Sequence, residues 1–369
     1  MPTKKRTVIV SSVGIWLALI VSSGWPWTWI WRLGRGTLAA PALLSASLWA
    51  CVLLWATHHL TFQVGGLFRT SMPPAEPPND ERPAVAILYA TCDDFNGACC
   101  ESCLDQDYEN LRVLVLDDSR SPRYKRMVEE FCAANARRCE RVTRPSDEGF
   151  KAGNLNYALQ RIVQEDWALL VDADQTLPPN YLSTLVARLP QDKGVAFLQT
   201  ANRGSTDRWS SPFQAAHALT IPLYFFRDLS LREGFGFLPL LGHSAMIRKS
   251  VWQEVGGFPL VVSEDYAFAL RLAARGQRGV FLREPVALER TPYDFGAFIL
   301  RLRKYAGGTA QLFRQEAVPF LLGRANLAEK WDALMQLSWY FLMPLVTLNG
   351  FLSGYVLHTM RQQGPMPLR

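Results

Sequence analysis

Four aspartates, Asp118, Asp172, Asp174 and Asp265, carry the chemistry that this sequence offers. Asp172 and Asp174 flank one alanine at the end of the apolar run Trp167–Val171. In an extended segment residues i and i+2 project to the same side, so the two carboxylates converge. Like charges brought that close call for a cation, and hard oxygen ligands suit Mg2+ or Mn2+. Such an ion would act as a Lewis acid on a departing diphosphate. A lone D-x-D triplet is also common by chance. Asp118, within Asp117-Asp118-Ser119, closes the run Val113–Leu116. A carboxylate there can accept hydrogen bonds from a base edge or a ribose hydroxyl, although paired acids also simply solvate strand ends. Asp265 stands with Ser263 and Glu264 ahead of the helical segment Tyr266–Arg275, with Ser263 placed to be its N-cap. The two acids there are either favourable charges at a helix N-terminus or include a general base for an acceptor hydroxyl, held ionised by that terminus.

Between these acids, Gly149 and Gly153 flank Lys151 in the stretch Glu148–Asn156. A lysine in a glycine-bounded turn before a helix suits an anionic ligand such as a diphosphate. A capped helix start with a solvated lysine has the same pattern. Further along, Gly242-His243-Ser244 begins a segment ending at Arg248, ahead of the Gly256-Gly257-Phe258 turn. This segment, with His243, is expected to line the acceptor side.

The elements that must position these residues are short apolar runs alternating with helical patterns. Ala84–Ala90, Val113–Leu116, Trp167–Val171 and Val195–Gln199 read as strands, and Tyr181–Leu189 as a helix. Such alternation predicts an α/β fold with a parallel sheet covered on both faces. Ligands then bind at the carboxyl ends of the strands, where the acidic clusters lie. Cys92, Cys99, Cys100 and Cys103 lack the paired arms or nearby histidines of a zinc site, and Ala98–Asp105 reads as the helix after the first strand. His217, in an aromatic stretch, is expected to be structural. Trp209 fits either packing or substrate contact.

The ends of the chain are different. Thr7–Trp31, Thr37–Phe68 and Ala333–Thr359 contain no Asp, Glu, Lys or Arg, and Arg32 and Arg35 lie in the link between the first two. Each run exceeds the roughly 20 apolar residues that cross a bilayer core. Trp25, Trp27, Trp29 and Trp31 resemble an interfacial belt, and Arg32–Gly36 joins the first two runs into a hairpin. Pro344 and Asn349-Gly350 interrupt the third run. Lys4-Lys5-Arg6 favours the cytoplasm for the N-terminus, and therefore for the central domain, at a plasma membrane. The net charge of +6 fits anionic lipid headgroups. No aromatic-basic recognition motif is present, so nucleic acid is not an expected partner. Seven cysteines at uneven spacing read as free thiols. The expected organisation is a two-helix hairpin over residues 1–70, a Pro-rich linker at 71–83, and a catalytic domain at 84–310. An interfacial segment at 311–330, a transmembrane helix at 331–360 and a tail at 361–369 follow. Phe313, Phe320, Leu321 and Leu322 give the interfacial segment its apolar face.

Taken together and in order, DDS (Asp117–Ser119), KAGNLN (Lys151–Asn156), DAD (Asp172–Asp174), GHSAMIR with GGF (Gly242–Phe258) and SED (Ser263–Asp265) resemble the family 2 glycosyltransferases of GT-A (Rossmann-like) fold. Within them the chain is most similar to the membrane-integrated branch of cellulose, hyaluronan and poly-N-acetylglucosamine synthases. The resemblance covers about residues 85–305 and implies inverting, single-displacement transfer from a nucleoside-diphosphate sugar, usually a UDP-sugar. It places Asp118 at the nucleotide, Asp172 and Asp174 at the donor diphosphate and its metal, and Asp265 as base. Lys151, Asn154 and Glu264 come with the motifs as substrate contacts. Asp94 stands for the acid at the end of the first strand, where the family tends to have Thr-Tyr-Asn-Glu and this chain has Thr91-Cys92-Asp93-Asp94.

The Q-x-x-R-W signature of that branch aligns here with Arg301–Tyr305, leaving Lys304 and Tyr305 as the cation and aromatic contacts. A single apolar run follows the catalytic domain, which leads to the expectation of one or few transfers to a lipid-linked or small amphiphilic acceptor. The alternatives are a processive polysaccharide synthase acting as an oligomer, an inactive scaffold, and a nucleotidyltransferase. The last would carry a glycine-rich basic loop where Thr91–Asp94 stands.

Overall fold

Each apolar run read from the sequence becomes a strand of one sheet in the computed structural model, which describes residues 2–23, 39–68, 82–189, 194–205 and 211–362. The strands are β1 Val85–Thr91, β2 Leu111–Asp117, β3 Cys139–Val142, β4 Trp167–Asp172, β5 Gln175–Thr176, β6 Val195–Ser205, β7 Ala245–Arg248 and β8 Arg278–Arg290. Their order is β3-β2-β1-β4-β7-β6-β8-β5. The expectation of a parallel sheet holds for β3-β2-β1-β4 and for β6-β8. It is corrected at β7, which runs antiparallel to both β4 and β6, and at β5, antiparallel to β8. The chain enters β7 through the Gly242–Ser244 turn, where Gly242 and Ser244 take positive φ, +71° and +48°, and this turn sets β7 against β4.

The sheet centre is dry. Val85, Ile87, Val113, Val115 and Leu169 are all at 0% exposure, and each such side chain contributes about 1.5–3 kcal/mol of burial. The helix Gly97–Leu104 adds Cys99, Cys100 and Cys103 to that core. Asn96 caps the helix by accepting from Ala98 N and Cys99 N. These thiols are free, and burial pushes Cys100 and Cys103 up. The stiff core fixes the strand ends from which the acidic residues project.

Contacts divide the chain into two units, Gly66–Glu233 with Leu238–Asn326, and Met1–Gly65 with Gly234–Phe237 and Leu327–Arg369. The sheet belongs to the former. The latter holds the helices Pro2–Ser23, Ala39–Phe68 as far as Gly65, and Leu327–Gln362. Among the described residues two stretches are long and apolar enough to cross a membrane, Ala40–Leu67 and Leu327–Thr359, while the apolar part of the first helix, Val8–Ser22, is shorter. Pro344 and Asn349-Gly350 do not break the last helix, which runs on through both. Val10, Leu44, Leu60 and Phe351 point outward, whereas Ser12, His58, Asp332 and Asn349 are buried. This apolar-out, polar-in arrangement suits a hydrocarbon solvent. His58 Nε2 meets Asp332 Oδ1 at 2.8 Å, and Asp332 Oδ2 accepts from Phe237 N at 2.8 Å and Gln336 Nε2 at 3.0 Å. The Trp25–Trp31 stretch, the Arg32–Gly36 link, nearly all of the Pro-rich linker, Trp209 and the tail beyond Gln362 lie outside the described residues.

Candidate active site

The D-A-D triplet is a turn rather than the extended segment expected. Asp172 ends β4, Ala173 and Asp174 form the turn, and Asp172 N closes it onto Gln175 Oε1 at 3.1 Å. Tyr89 in β1 reinforces it, donating its hydroxyl to Ala173 O at 3.0 Å. The two carboxylates nevertheless act on each other. Asp174 is pushed up to about 6, by the desolvating cleft walls first and then by Asp172. Asp172 moves the opposite way: burial raises it, but Lys151, by its charge and its hydrogen bond, outweighs burial and holds it below the ordinary range.

Lys151 is the cation that satisfies Asp172. Its Nζ bonds Asp172 Oδ1 and donates to Gly242 O at 2.7 Å. Burial pulls this ammonium down, yet Asp172, Glu264 and Asp265 reverse that and leave it raised. One lysine therefore answers three carboxylates, from the D-A-D turn and from the helix Glu264–Ala274.

Asp265 lies against the Gly242 turn. A Cβ at Gly242, whose φ is +71°, would come within 2.8 Å of Asp265 Oδ2, so only glycine admits this approach. The helix terminus supplies the expected hydrogen bond, Tyr266 N to Asp265 Oδ1 at 2.7 Å. It does not hold the carboxyl low: burial dominates and raises Asp265. Glu264 is pushed up to about 7 by burial and by Asp265. Ser263 occupies the N-cap position without a side-chain cap bond.

Asp118 is engaged in a way the sequence did not reveal. Arg144 grips it with both arms, Nε to Oδ1 at 2.9 Å and a terminal nitrogen to Oδ2 at 2.6 Å. The same guanidinium donates to Glu148 O at 2.5 Å and Phe150 O at 3.0 Å. It thus shapes the turn before Lys151, where Gly149 and Phe150 have φ of +77° and +51°. Gly153 is required there, because a Cβ would collide with Glu148 O and Arg144. Asn154 is buried and donates to Leu116 O at 3.2 Å, which fastens its helix to β2 rather than offering an amide to the open cleft. Asn156, also missed, accepts from Phe258 N at 2.8 Å and Trp252 Nε1 at 3.0 Å. It ties the KAGNLN helix to the GGF turn that leads into Ser263.

Asp94 accepts from Thr91 Oγ1 and Cys92 N at 2.8 and 2.7 Å and remains exposed. Asp93 bridges the ends of β1 and β2, accepting from Arg120 N at 2.9 Å and Ser121 N at 2.8 Å. His243 Nδ1 meets Gln175 and Asn202 amides at 3.1 and 3.0 Å, and its Nε2 lies 3.8 Å from Glu289. Gln199 is wholly buried in β6 and braces this turn, accepting from Leu241 N and donating to His243 O, both at 3.0 Å. Lys304 and Tyr305 lie on the helix Phe295–Gln315, which approaches Ser263 so closely at Gly308 that a Cβ there would strike its hydroxyl. Lys304 helps lower Asp172. Tyr305 Oη accepts from Arg301 Nε at 2.8 Å. His217 is half-buried and stacked on Phe213 at 6.2 Å.

The donor set also bears on a divalent cation. The described residues contain no cluster of three or more His, Cys, Asp and Glu able to cage a metal. Mg2+ and Mn2+ sites that borrow substrate phosphates need only one or two protein carboxylates. Asp172 with Asp174 fits that requirement, and the mutual repulsion of the two acids is what a cation would relieve.

Residues 167–362 match the model of glycosyl transferase family group 2. Among curated relatives, the cellulose synthase 1 catalytic subunit [UDP-forming] of Komagataeibacter xylinus is 29% identical over 318 residues, covering 82% of this chain and 41% of the relative. "Probable glucomannan 4-beta-mannosyltransferase 7" of Oryza sativa subsp. japonica is 26% identical over 335 residues, covering 81% of this chain and 56% of the relative. The chain therefore spans only about half the length of these relatives. Among solved structures, the mannosyltransferase PcManGT from Pyrobaculum calidifontis, in complex with GDP-Man and Mn2+, shares the fold with a TM-score of 0.63 at 19% identity, covering 88% of this chain and 89% of that one.

Proposed function

We propose, from the premise that this chain belongs to glycosyl transferase family group 2, that it is a membrane-bound inverting glycosyltransferase using a nucleoside-diphosphate sugar. The observation that carries this reading is Lys151, bonded to Asp172 and electrostatically tied to Asp265. It joins a diphosphate-binding motif to a base in one cleft. Asp265 takes the proton of the acceptor hydroxyl as that oxygen attacks the anomeric carbon, and the nucleoside diphosphate leaves from the opposite face. Lys151 offers its ammonium to the diphosphate. Asp94 and Asp118 hold the nucleoside, and Asn154 sets the helix that bears Lys151. Glu264, His243, Lys304 and Tyr305 complete the substrate contacts. A Mg2+ or Mn2+ held by Asp172 and Asp174 would supply Lewis-acid neutralisation of the leaving phosphates.

A UDP-sugar is the favoured donor, in keeping with the UDP-forming cellulose synthase relative. The acceptor is lipid-linked or a small amphiphile, and the transfer is of one or few sugars. Tyr305, held by Arg301 where the synthase signature has tryptophan, supports this. The exposed Val318, Leu321 and Leu322 support an interfacial segment at residues 311–330. The catalytic domain, residues 84–310, faces the cytoplasm, with the flanking helices in the plasma membrane. The relatives' names favour a second reading, a polysaccharide synthase that works as an oligomer. Purified protein in detergent is expected to release UDP from a UDP-sugar with Mn2+ present, and products made with membrane lipid extract are expected to size as short adducts. Long chains would select the second reading. Pyrophosphate release would indicate a nucleotidyltransferase, and no release a scaffold.

Asp174→Ala tests the metal assignment separately. Calorimetry is expected to show donor binding that no longer strengthens when Mn2+ is added, whereas wild-type binding tightens about tenfold or more (each factor of ten being about 1.4 kcal/mol). Equal Mn2+ dependence in both proteins would remove Asp174 from the metal site.

A further inference from the structure

The polar network behind the D-A-D turn fixes the proton on His243. Gln175 Oε1 accepts the Asp172 N–H at 3.1 Å, so its Nε2 is the atom that faces His243 Nδ1 at 3.1 Å and Ser244 Oγ at 2.6 Å. Asn202 Nδ2 donates to Glu289 Oε2 at 2.7 Å, and that same nitrogen lies 3.0 Å from His243 Nδ1. Both neighbours of Nδ1 are thus NH2 donors, and Nδ1 must accept. The neutral ring then carries its hydrogen on Nε2. That Nε2 stands 3.8 Å from Glu289 Oε2, beyond hydrogen-bond reach but within charge contact. Gln175, Asn202 and Glu289 are buried, while the His243 side chain keeps 17% of its surface open. Asn202 Oδ1 is buried without a hydrogen-bond partner among the described residues.

We propose that His243 and Glu289 form a clamp for one hydroxyl of the sugar being transferred. A hydroxyl both accepts and donates. An oxygen within ordinary hydrogen-bond distance of both groups takes the Nε2–H of His243 and gives its own hydrogen to the Glu289 carboxylate. At a separation of 3.8 Å one oxygen can lie within hydrogen-bond distance of both groups. The hydroxyl belongs to the donor because Gln175 couples His243 directly to the Asp172 backbone. This assignment rests on the donor-side reading of Asp172 and Asp174, and it moves His243 from the acceptor lining to the donor sugar. A sugar lacking that hydroxyl leaves a donor and a carboxylate unanswered, which is the kind of mismatch that discriminates strongly.

The test uses the full chain in detergent and nucleotide release from UDP-glucose, UDP-N-acetylglucosamine and GDP-mannose, followed by monodeoxy forms of whichever sugar turns over. The wild type is expected to penalise one deoxy form by about 10- to 100-fold in kcat/KM. In His243→Phe and Glu289→Gln the ratio between parent and that deoxy form is expected to fall toward one, with His243→Gln, which keeps an N–H donor, retaining part of it. A purely structural role would slow both sugars alike and leave the ratio unchanged, which overturns the clamp. Turnover by the wild type with no deoxy form penalised also overturns it, without needing any variant to fold, and leaves the transferase reading intact. No nucleotide release from any of the three donors would end both readings together.

Discussion

Asp265→Asn is expected to slow transfer on the order of 10²- to 10⁴-fold while nucleotide affinity stays within about twofold of wild type. Asparagine matches the shape of aspartate and keeps an oxygen for the Tyr266 N–H, now 2.7 Å from Oδ1. The fold at the helix terminus therefore has no reason to move. What disappears is the carboxylate, the only group in the side chain able to take a proton. Nucleotide binding survives because Asp94, Asp118 and Lys151, the residues assigned to it, are untouched. The pH profile gives a second readout. Burial raises the Asp265 carboxyl, and Glu264 beside it is pushed up to about 7. The base works only when ionised, so the wild-type rate falls as pH falls, along a limb above the ordinary carboxylate range. Asp265→Asn should remove the limb along with the rate. Near wild-type turnover in that variant would show that another group is the base.

The strands were legible because their interiors are uninterrupted apolar runs ending in acids. Trp167–Val171 and Val113–Leu116 fall inside the observed β4 and β2. The β7 reversal was not legible: Ala245–Arg248 is four residues long, and its direction depends on Gly242 and on Ser244, which takes φ of +48°. A serine in that conformation carries no local signature. The acids of the site could be found through their motifs, but their partners could not. Gln199, Asn202 and Glu289 each follow an apolar residue in β6 or β8, and their roles depend on a turn about 40 to 50 residues away in the chain. Polar side chains in an otherwise buried strand demand hydrogen-bond partners, and that demand was the available signal. Asp265 shows the reverse failure. The helix N-terminus was read correctly as a source of hydrogen bonding, but burial depends on how the Gly242 turn closes over it, which sequence spacing does not reveal.

Arg144 is the residue whose absence from a motif-based reading matters most, and Arg144→Ala is expected to destabilise the catalytic unit by about 3–5 kcal/mol. The Arg144 and Asp118 side chains are only 6% and 12% exposed, so solvent screens the pair weakly. Truncating the arginine strands the Asp118 carboxylate in a space that water barely enters. It also releases Glu148 O and Phe150 O, which lie on either side of the left-handed Gly149. Phe150 holds a conformation costly for a residue with a Cβ and needs outside support to persist. Once that turn loosens, Lys151 loses its place between Asp172 and Gly242 O, so donor affinity should fall together with stability. Two comparisons separate these effects. Arg144→Ala combined with Asp118→Ala should recover part of the stability, because the stranded charge is gone, yet recover none of the donor affinity, because the turn is still unbraced. Arg144→Lys should fall between wild type and alanine, since one ammonium cannot match a fork that spans both carboxylate oxygens and two carbonyls. Urea unfolding in detergent, followed by far-ultraviolet circular dichroism, supplies the stabilities. An Arg144→Ala midpoint equal to wild type would mean that Asp118 is not stranded and that the nucleotide-side acid owes nothing to this pair.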